Sequence, residues 1–197
     1  MFVLVTVYRY ATEERDKRQL RKAFQLYLNP DVMEQMLGKP EKLKLGGDEK
    51  DLTVMFSDIR GFTTLSESLT PQELVNHLNL YLTAMTDIIL DYNGTLDKYV
   101  GDEIMCFWGA PVPEPDHALL ACKCAVRQME VLTQMNKSWP PEKRLDIGIG
   151  LNTGIMTVGN MGSIGRMNYT LMGDNVNLGA RLEGTPTSSW AGAGAGC

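Results

Sequence analysis

Two short segments constrain this chain more than any other feature. Each carries a run suited to a buried strand into an aspartate beside a glycine. They are Phe56-Ser57-Asp58-Ile59-Arg60-Gly61-Phe62-Thr63 and Lys98-Tyr99-Val100-Gly101-Asp102-Glu103. A carboxylate at the end of an apolar strand is costly to bury unless something positive sits on it. Aspartate is common at turns, so one such residue alone is as readily a cap as a ligand. Two of them brought together make a seat for Mg²⁺, which favours hard oxygen ligands and shares its shell with substrate phosphates. The loop Ile59-Arg60-Gly61-Phe62-Thr63 adds backbone N–H groups and a glycine that permits close approach, a cradle for a triphosphate. The pattern is that of a metal-dependent, phosphate-handling domain.

Composition narrows the partners. The 197 residues suit one globular domain plus extensions. A formal net charge of −5 argues against a general nucleic-acid binder, which carries a basic face. Four cysteines are too few and too oddly spaced for a disulfide framework. Cys106 and Cys122 read as small core residues in a reducing compartment, and Cys122 and Cys124, two apart on a helix, face different ways. The apolar start Met1 to Tyr10 is too short to span a bilayer. With Arg9, Arg15, Lys17, Arg18, Arg21 and Lys22 around and after it, it reads as the cytoplasmic end of a transmembrane helix, the alternative being a frayed terminal strand or helix.

Residues 11–28 carry a helical apolar stripe, Leu20, Ala23, Phe24, Tyr27 and Leu28, ended by Asn29-Pro30. The stripe is either a dimer seam or a face packed on its own domain. A signalling helix between membrane and catalytic domain fits its position, and with the polar linker of residues 38–50 it makes 11–50 one connecting region. The linker contains Gly46-Gly47-Asp48-Glu49, a superficial echo of the diguanylate cyclase signature without the hairpin that signature needs. A first strand is expected at Leu52 to Ser57. A helix follows over Pro71 to Leu90, with Thr70 at the N-cap, Pro71 at N1 and Glu73 at N3. Its inward face is Leu74, Leu78, Tyr81 or Leu82, Met85, and Ile88 or Ile89. A hairpin pairs Thr95–Val100 with Glu103–Trp108. Asp116 caps a second helix reaching Asn136, with Cys122, Ala125, Val126, Met129 and Leu132 inward. Leu145 to Leu151 and Ile155 to Asn160 read as two strands around Asn152-Thr153-Gly154. A short strand near Tyr169-Thr170-Leu171 leads to a helix from Asp174. Grouped hairpins with helices between them predict an α+β fold: a mixed, mostly antiparallel sheet with helices on one face, resembling the ferredoxin-like palm.

Asn177 and Arg181 lie four apart and share one helix face, an amide beside a guanidinium suited to a sugar and a charged phosphorus centre, although alone this spacing more readily reads as an exposed arginine with a capping asparagine. Lys98 and Thr170 are unremarkable singly. The ordered set of segments is specific. From about Asp51 to Gly184 the chain resembles the catalytic domain of class III nucleotidyl cyclases, the adenylyl and guanylyl cyclases. The matching stretches are Phe56 to Phe62, Lys98 to Glu103, Asn152-Thr153-Gly154, and Tyr169 to Arg181. The N-terminal part resembles bacterial members in which a membrane-anchored sensor region precedes the cyclase.

The resemblance implies roles. Asp58 and Asp102 match the metal-binding aspartates, with the Ile59 carbonyl as a further ligand for two Mg²⁺ ions, for which Mn²⁺ can substitute. Gly61, Phe62 and Thr63 fall on the triphosphate loop. Lys98 and Thr170 fall on the base-recognising pair of the adenylyl subgroup: lysine donates to a purine ring nitrogen and threonine accepts from an exocyclic amine. Asn177 orients the ribose, and Arg181 is the transition-state arginine. The implied reaction is attack of the ATP ribose 3′-hydroxyl on the α-phosphorus, giving 3′,5′-cyclic AMP and pyrophosphate. The family site lies between two copies, so a head-to-tail homodimer is expected, on the cytoplasmic face of the plasma membrane. Some relatives carry a further arginine before Asn152, at a position aligned here with Gly148. After Gly184 the family continues with helix and strand. Residues 185–197, rich in Ser, Ala and Gly, read instead as a disordered tail of a C-terminally shortened domain.

Overall fold

The longest strand pairing organises the molecule. In the computed structural model, which describes residues 44–185, β1 (Gly46–Ile59) runs antiparallel to β4 (Ile147–Ser163) without interruption from Gly46↔Asn160 to Ile59↔Ile147. β2 (Thr95–Val100) and β3 (Glu103–Trp108) form the expected hairpin, and β3 pairs with the other edge of β1. β5 (Arg166–Met172) returns along β4. The order β2-β3-β1-β4-β5, antiparallel at every junction, contains the ferredoxin-like arrangement of its first four strands. The expectations for residues 1–43 and 186–197, the apolar start, the signalling helix and most of the tail, lie outside the described residues. Among the described residues no helix is long and apolar enough to cross a membrane.

Alternation along β1 splits the core in two. Met55 and Ile59 join Ile104, Cys106 and Trp108 under α2 (Pro71–Asp91) and α3 (His117–Ser138). Leu52, Val54 and Phe56 join Met105, Phe107, Met156, Val158 and Leu171 on the opposite face, where Val176 of α4 (Asp174–Glu183) seals the cluster. Helices therefore cover both faces, not one. Close seating of α4 depends on glycine: a Cβ on Gly179 would come 2.9 Å from Val54 Cγ1, and one on Gly150 would overlap the backbone of Gly179 and Glu183.

The start of α2 forms as its sequence dictates. Thr70 Oγ1 accepts from the Glu73 N–H, while the Glu73 carboxylate accepts from the Thr70 N–H, closing the capping box behind Pro71. The Thr70 hydroxyl, which donates to Glu73 Oε2 at 2.7 Å, then Lys143 Nζ 3.1 Å away and the Thr70 N–H, hold the Glu73 carboxyl down at about 2. Tyr81, Met85, Ile88 and Ile89 are buried as expected, joined by His77, whose Nε2–H donates to the Lys143 carbonyl at 2.7 Å.

Four expectations are corrected. Gly46 to Lys50, read as linker, is the first part of β1, because pairing with Met156 to Asn160 satisfies its backbone whatever its polarity. The segment after Gly61, read as a loop, is a helix, α1 (Phe62–Ser68). Asn152-Thr153-Gly154 is not a turn between two strands but the middle of β4. Asn152 Nδ2 donates to the Asn175 carbonyl at 2.8 Å, and a Cβ on Gly154 would sit 2.6 Å from Asn175 Nδ2, so this triplet is where α4 docks.

The fourth concerns α3. Its buried stripe is Ala121, Cys124, Gln128 and Leu132, while Cys122, Val126 and Met129 are exposed. The core stripe hid behind Gln128, a polar residue whose amide donates to the Met85 carbonyl at 3.2 Å. The more apolar stripe instead borders a groove of about 430 Å³ that Ala125, Val126 and Met129 share with Ile147 to Leu151 of β4. Cys124, not Cys122, is thus the core partner of Cys106.

Candidate active site

Strand ends deliver the first half of the site. Asp58 is the penultimate residue of β1, and Asp102 sits in the β2–β3 turn after Gly101, whose φ of 69° suits glycine. Turn and strand end meet, because Ser57 is paired with Ile104. The two carboxyls then face each other. Burial, followed by that contact with Asp58 and its charge, pushes Asp102 up to about 6, although its own N–H and that of Ile59 pull the other way. Asp102 Oδ2 is buried with no hydrogen-bond partner, an acceptor pointing at something not supplied by the protein. Ile59, beside Asp58, is buried, as expected of a residue offering only its backbone.

Two further carboxylates gather here that sequence reasoning passed over. Burial and then the charges of Asp58 and Glu183 push Glu103 up. Burial and then Asp58 push Glu183 up, with Arg60 opposing. Arg60 Nη2 donates to the Glu183 carbonyl at 3.1 Å and so ties the end of β1 to the end of α4. The same pair fills the space above Gly148, where a side chain would overlap Glu183 and meet Arg60 Nη2, so no arginine fits there as these residues lie. A surplus of negative charge with an unpartnered acceptor fits a divalent cation. Among the described residues no group of three or more His, Cys, Asp or Glu side chains is arranged to hold a metal ion.

Gly61 adopts φ 68° and opens α1 with free space where a side chain would be. Phe62 turns into the α2–α3 core, which leaves its backbone rather than its ring for the site, and Thr63 is exposed. The first-turn N–H groups of α1 have no intrahelical partner and face outward at the positive end of the helix.

The second half of the site is built on the other sheet face. Lys98 is in β2 and Thr170 in β5, strands at opposite edges of the sheet. Through the register, Thr170 lies level with Gly47 of β1 and Lys98 level with Phe56. Nine residues separate those rungs (56 − 47), roughly 30 Å of extended strand. The groups nevertheless meet, because the β4–β5 arm curls over the face, with Tyr169 against Phe107 at 6.3 Å between ring centres. Their meeting point is Asp97, which sequence reasoning missed. Asp97 Oδ2 accepts from Thr170 Oγ1 at 2.5 Å, and Oδ1 lies 3.4 Å from Lys98 Nζ. The one signal available for Asp97 was its place directly before Lys98 in a strand.

Asn177 and Arg181 are on α4. Val176 and Gly179 are the buried positions of that helix, so Asn177 and Arg181, both exposed, lie on a stripe turned away from their own sheet. Among the described residues Arg181 forms no ion pair. The structure thus unites Asp58 with Asp102, and Lys98 with Thr170, and leaves Asn177 and Arg181 projecting outward.

A ferredoxin-like palm that presents paired aspartates at adjacent strand ends belongs to a recognisable class of nucleotide-handling domains. Residues 47–189 match the family described as the adenylate and guanylate cyclase catalytic domain, and the chain belongs to that family. It is 40% identical over 139 residues to adenylate cyclase 1 of Rhizobium meliloti, covering 68% of this chain and 21% of that protein. The chain therefore spans about a fifth of that relative's length. Its fold matches the adenylyl cyclase CyaB from P. aeruginosa at a TM-score of 0.66 and 46% identity, over 71% of this chain and 74% of that one. The guanylyl cyclase Cya2 matches at the same TM-score and 41% identity, over 71% and 72%.

Proposed function

We propose that this domain is an adenylyl cyclase that converts ATP to 3′,5′-cyclic AMP and pyrophosphate at a site completed by a second copy of the chain. The observation that carries the reading is the Asp58–Asp102 pair with its buried, unpartnered oxygen. Asp58 and Asp102, with the Ile59 carbonyl, would hold two Mg²⁺ or Mn²⁺ ions whose remaining ligands come from the triphosphate. When bound, such ions neutralise phosphate charge and favour ionisation of the ribose 3′-hydroxyl. The first-turn amides of α1, from Gly61 to Thr63, face the phosphates. Lys98 donates to purine N1, and Thr170 accepts from the exocyclic amine. Asn177 orients the ribose. The 3′-oxygen attacks the α-phosphorus, the bond to the bridging oxygen breaks, pyrophosphate leaves, and the hydroxyl proton passes to solvent. Charge gathers on the α-phosphoryl oxygens as this happens, and Arg181 of the second copy is the guanidinium that would meet it.

A head-to-tail homodimer is supported by the orientation of α4. Asn177 and Arg181 face away from the sheet that bears Asp58, so a twin chain is where they are used. The apolar Met1–Tyr10 followed by basic residues supports anchoring at the cytoplasmic face of the membrane, behind a bacterial sensor region, in the longer protein.

The test is turnover of ATP and GTP by the chain and by Asp58→Ala and Arg181→Ala. Each variant is expected to lose a factor of about 10²–10³. Mixing them equally places one intact site in half of the dimers and restores roughly a quarter of the activity. Two variants as active as the parent would sink the site assignment. Preferential turnover of GTP would transfer the reading to a guanylyl cyclase. Nucleotide binding without cyclisation would leave a binding and dimerisation module.

A further inference from the structure

We propose that Asp97 is a positioning residue that makes the site selective for adenine, by forcing the Thr170 hydroxyl to present only lone pairs to the base. The inference rests on the reading of Lys98 and Thr170 as the purine-facing pair. A hydroxyl is both donor and acceptor, and its proton turns to suit its neighbours. A bare threonine would therefore serve an adenine amine or a guanine carbonyl equally well. Asp97 removes that freedom. Its side chain is 1% exposed, and Oδ2 lies 2.5 Å from Thr170 Oγ1. An ionised carboxylate only accepts, so the hydroxyl proton points at Asp97 and the lone pairs point outward. Adenine offers an amine at C6, which satisfies them. Guanine offers a carbonyl oxygen there, and two acceptors would face each other.

The same carboxylate governs Lys98. Oδ1 lies 3.4 Å from Nζ, which holds an otherwise flexible ammonium, 42% exposed, near the threonine. Adenine N1 accepts from an ammonium, whereas guanine N1 carries a hydrogen. Asp97 is itself held in place, since its carboxylate also accepts from the Leu171 N–H. Burial pushes its carboxyl up, and the bonds from Thr170, Lys98 and Leu171 oppose that rise. One buried group thus sets the donor–acceptor pattern of both purine-facing side chains, across 73 residues of sequence.

Asp97→Asn tests this with almost no change of shape. An amide can donate to Thr170, which frees the threonine proton to turn towards a guanine carbonyl. Binding of N-methylanthraniloyl ATP and GTP in Ca²⁺ is read by fluorescence, alongside cyclisation of both nucleotides in Mn²⁺. The expected result is a fall of about tenfold in the ATP-over-GTP preference in both measurements. In a Thr170→Val background the Asp97→Asn change should not alter the preference further. A preference unchanged by Asp97→Asn, in protein that unfolds at the parental temperature, overturns the proposal. So does an equal shift in the Thr170→Val background. A variant that fails to fold transfers the test to Thr170→Val alone, which must lose the same preference. A parent that binds adenine nucleotides selectively but cyclises neither would sink the proposed activity and leave the role of Asp97 to the binding data.

Discussion

Removing the charge at Asp102 should make the metal-free domain more stable while abolishing its activity. Asp102 titrates at about 6 in the folded chain against an ordinary 3.8, because it is partly buried and faces Asp58. Between those values the folded state holds a proton that the unfolded chain has lost. Stability therefore falls as pH rises through that window, and the full penalty persists above about 6. Roughly two pH decades at about 1.4 kcal/mol each give about 3 kcal/mol. Asp102 is only half-buried, so solvent screening reduces this to about 1 kcal/mol. Asp102→Asn keeps the shape, lets an amide donate to Asp58, and removes the repulsion. Thermal unfolding in chelator should show a midpoint raised by about 2–4 °C at pH 8. At pH 5, about midway through that window, the gain should fall to roughly half, and it should vanish only below the ordinary value of 3.8. Cyclase activity should drop by a factor of at least about 10². A midpoint at pH 8 that is unchanged or lower, or a gain equally large at pH 5, would refute the electrostatic account of this pair.

Two stability predictions follow from local geometry. Thr70→Ala removes the hydroxyl that accepts from the Glu73 N–H, and urea unfolding should register a loss of about 1 kcal/mol with the denaturant slope unchanged. Gly150→Ala puts a methyl into the backbone of Gly179 and Glu183, which cannot rotate away, so α4 must lift from β4. A loss of about 3 kcal/mol is expected by the same method, and a loss below about 0.5 kcal/mol would show that α4 is not seated as described.

Local chemistry alone determined a good part of this protein. The capping box before Pro71 and the hairpin around Gly101-Asp102 were legible because each depends on residues within a few positions of one another. Asp58 and Asp102 were legible as a pair because both end apolar strands and one pairing, Ser57 with Ile104, brings them together. What depended on partners far along the chain was not legible. Gly46 to Lys50 has the composition of a linker, and only β4, more than a hundred residues away, makes it a strand. The phase of α3 turned on Gln128 finding the Met85 carbonyl, which no periodicity reveals.

The resemblance paired Lys98 with Thr170, but what brings them together is tertiary structure. Lys98 and Thr170 belong to opposite edges of the sheet, and only the curl of the β4–β5 arm lays one against the other. Asp97 acquires its role from that curl, since its partner Thr170 is 73 residues distant. Residue types and short spacings can declare which chemistry a chain carries. The sheet's curvature arises from the summed twist of many strand pairs, and it decides which of those groups share one pocket.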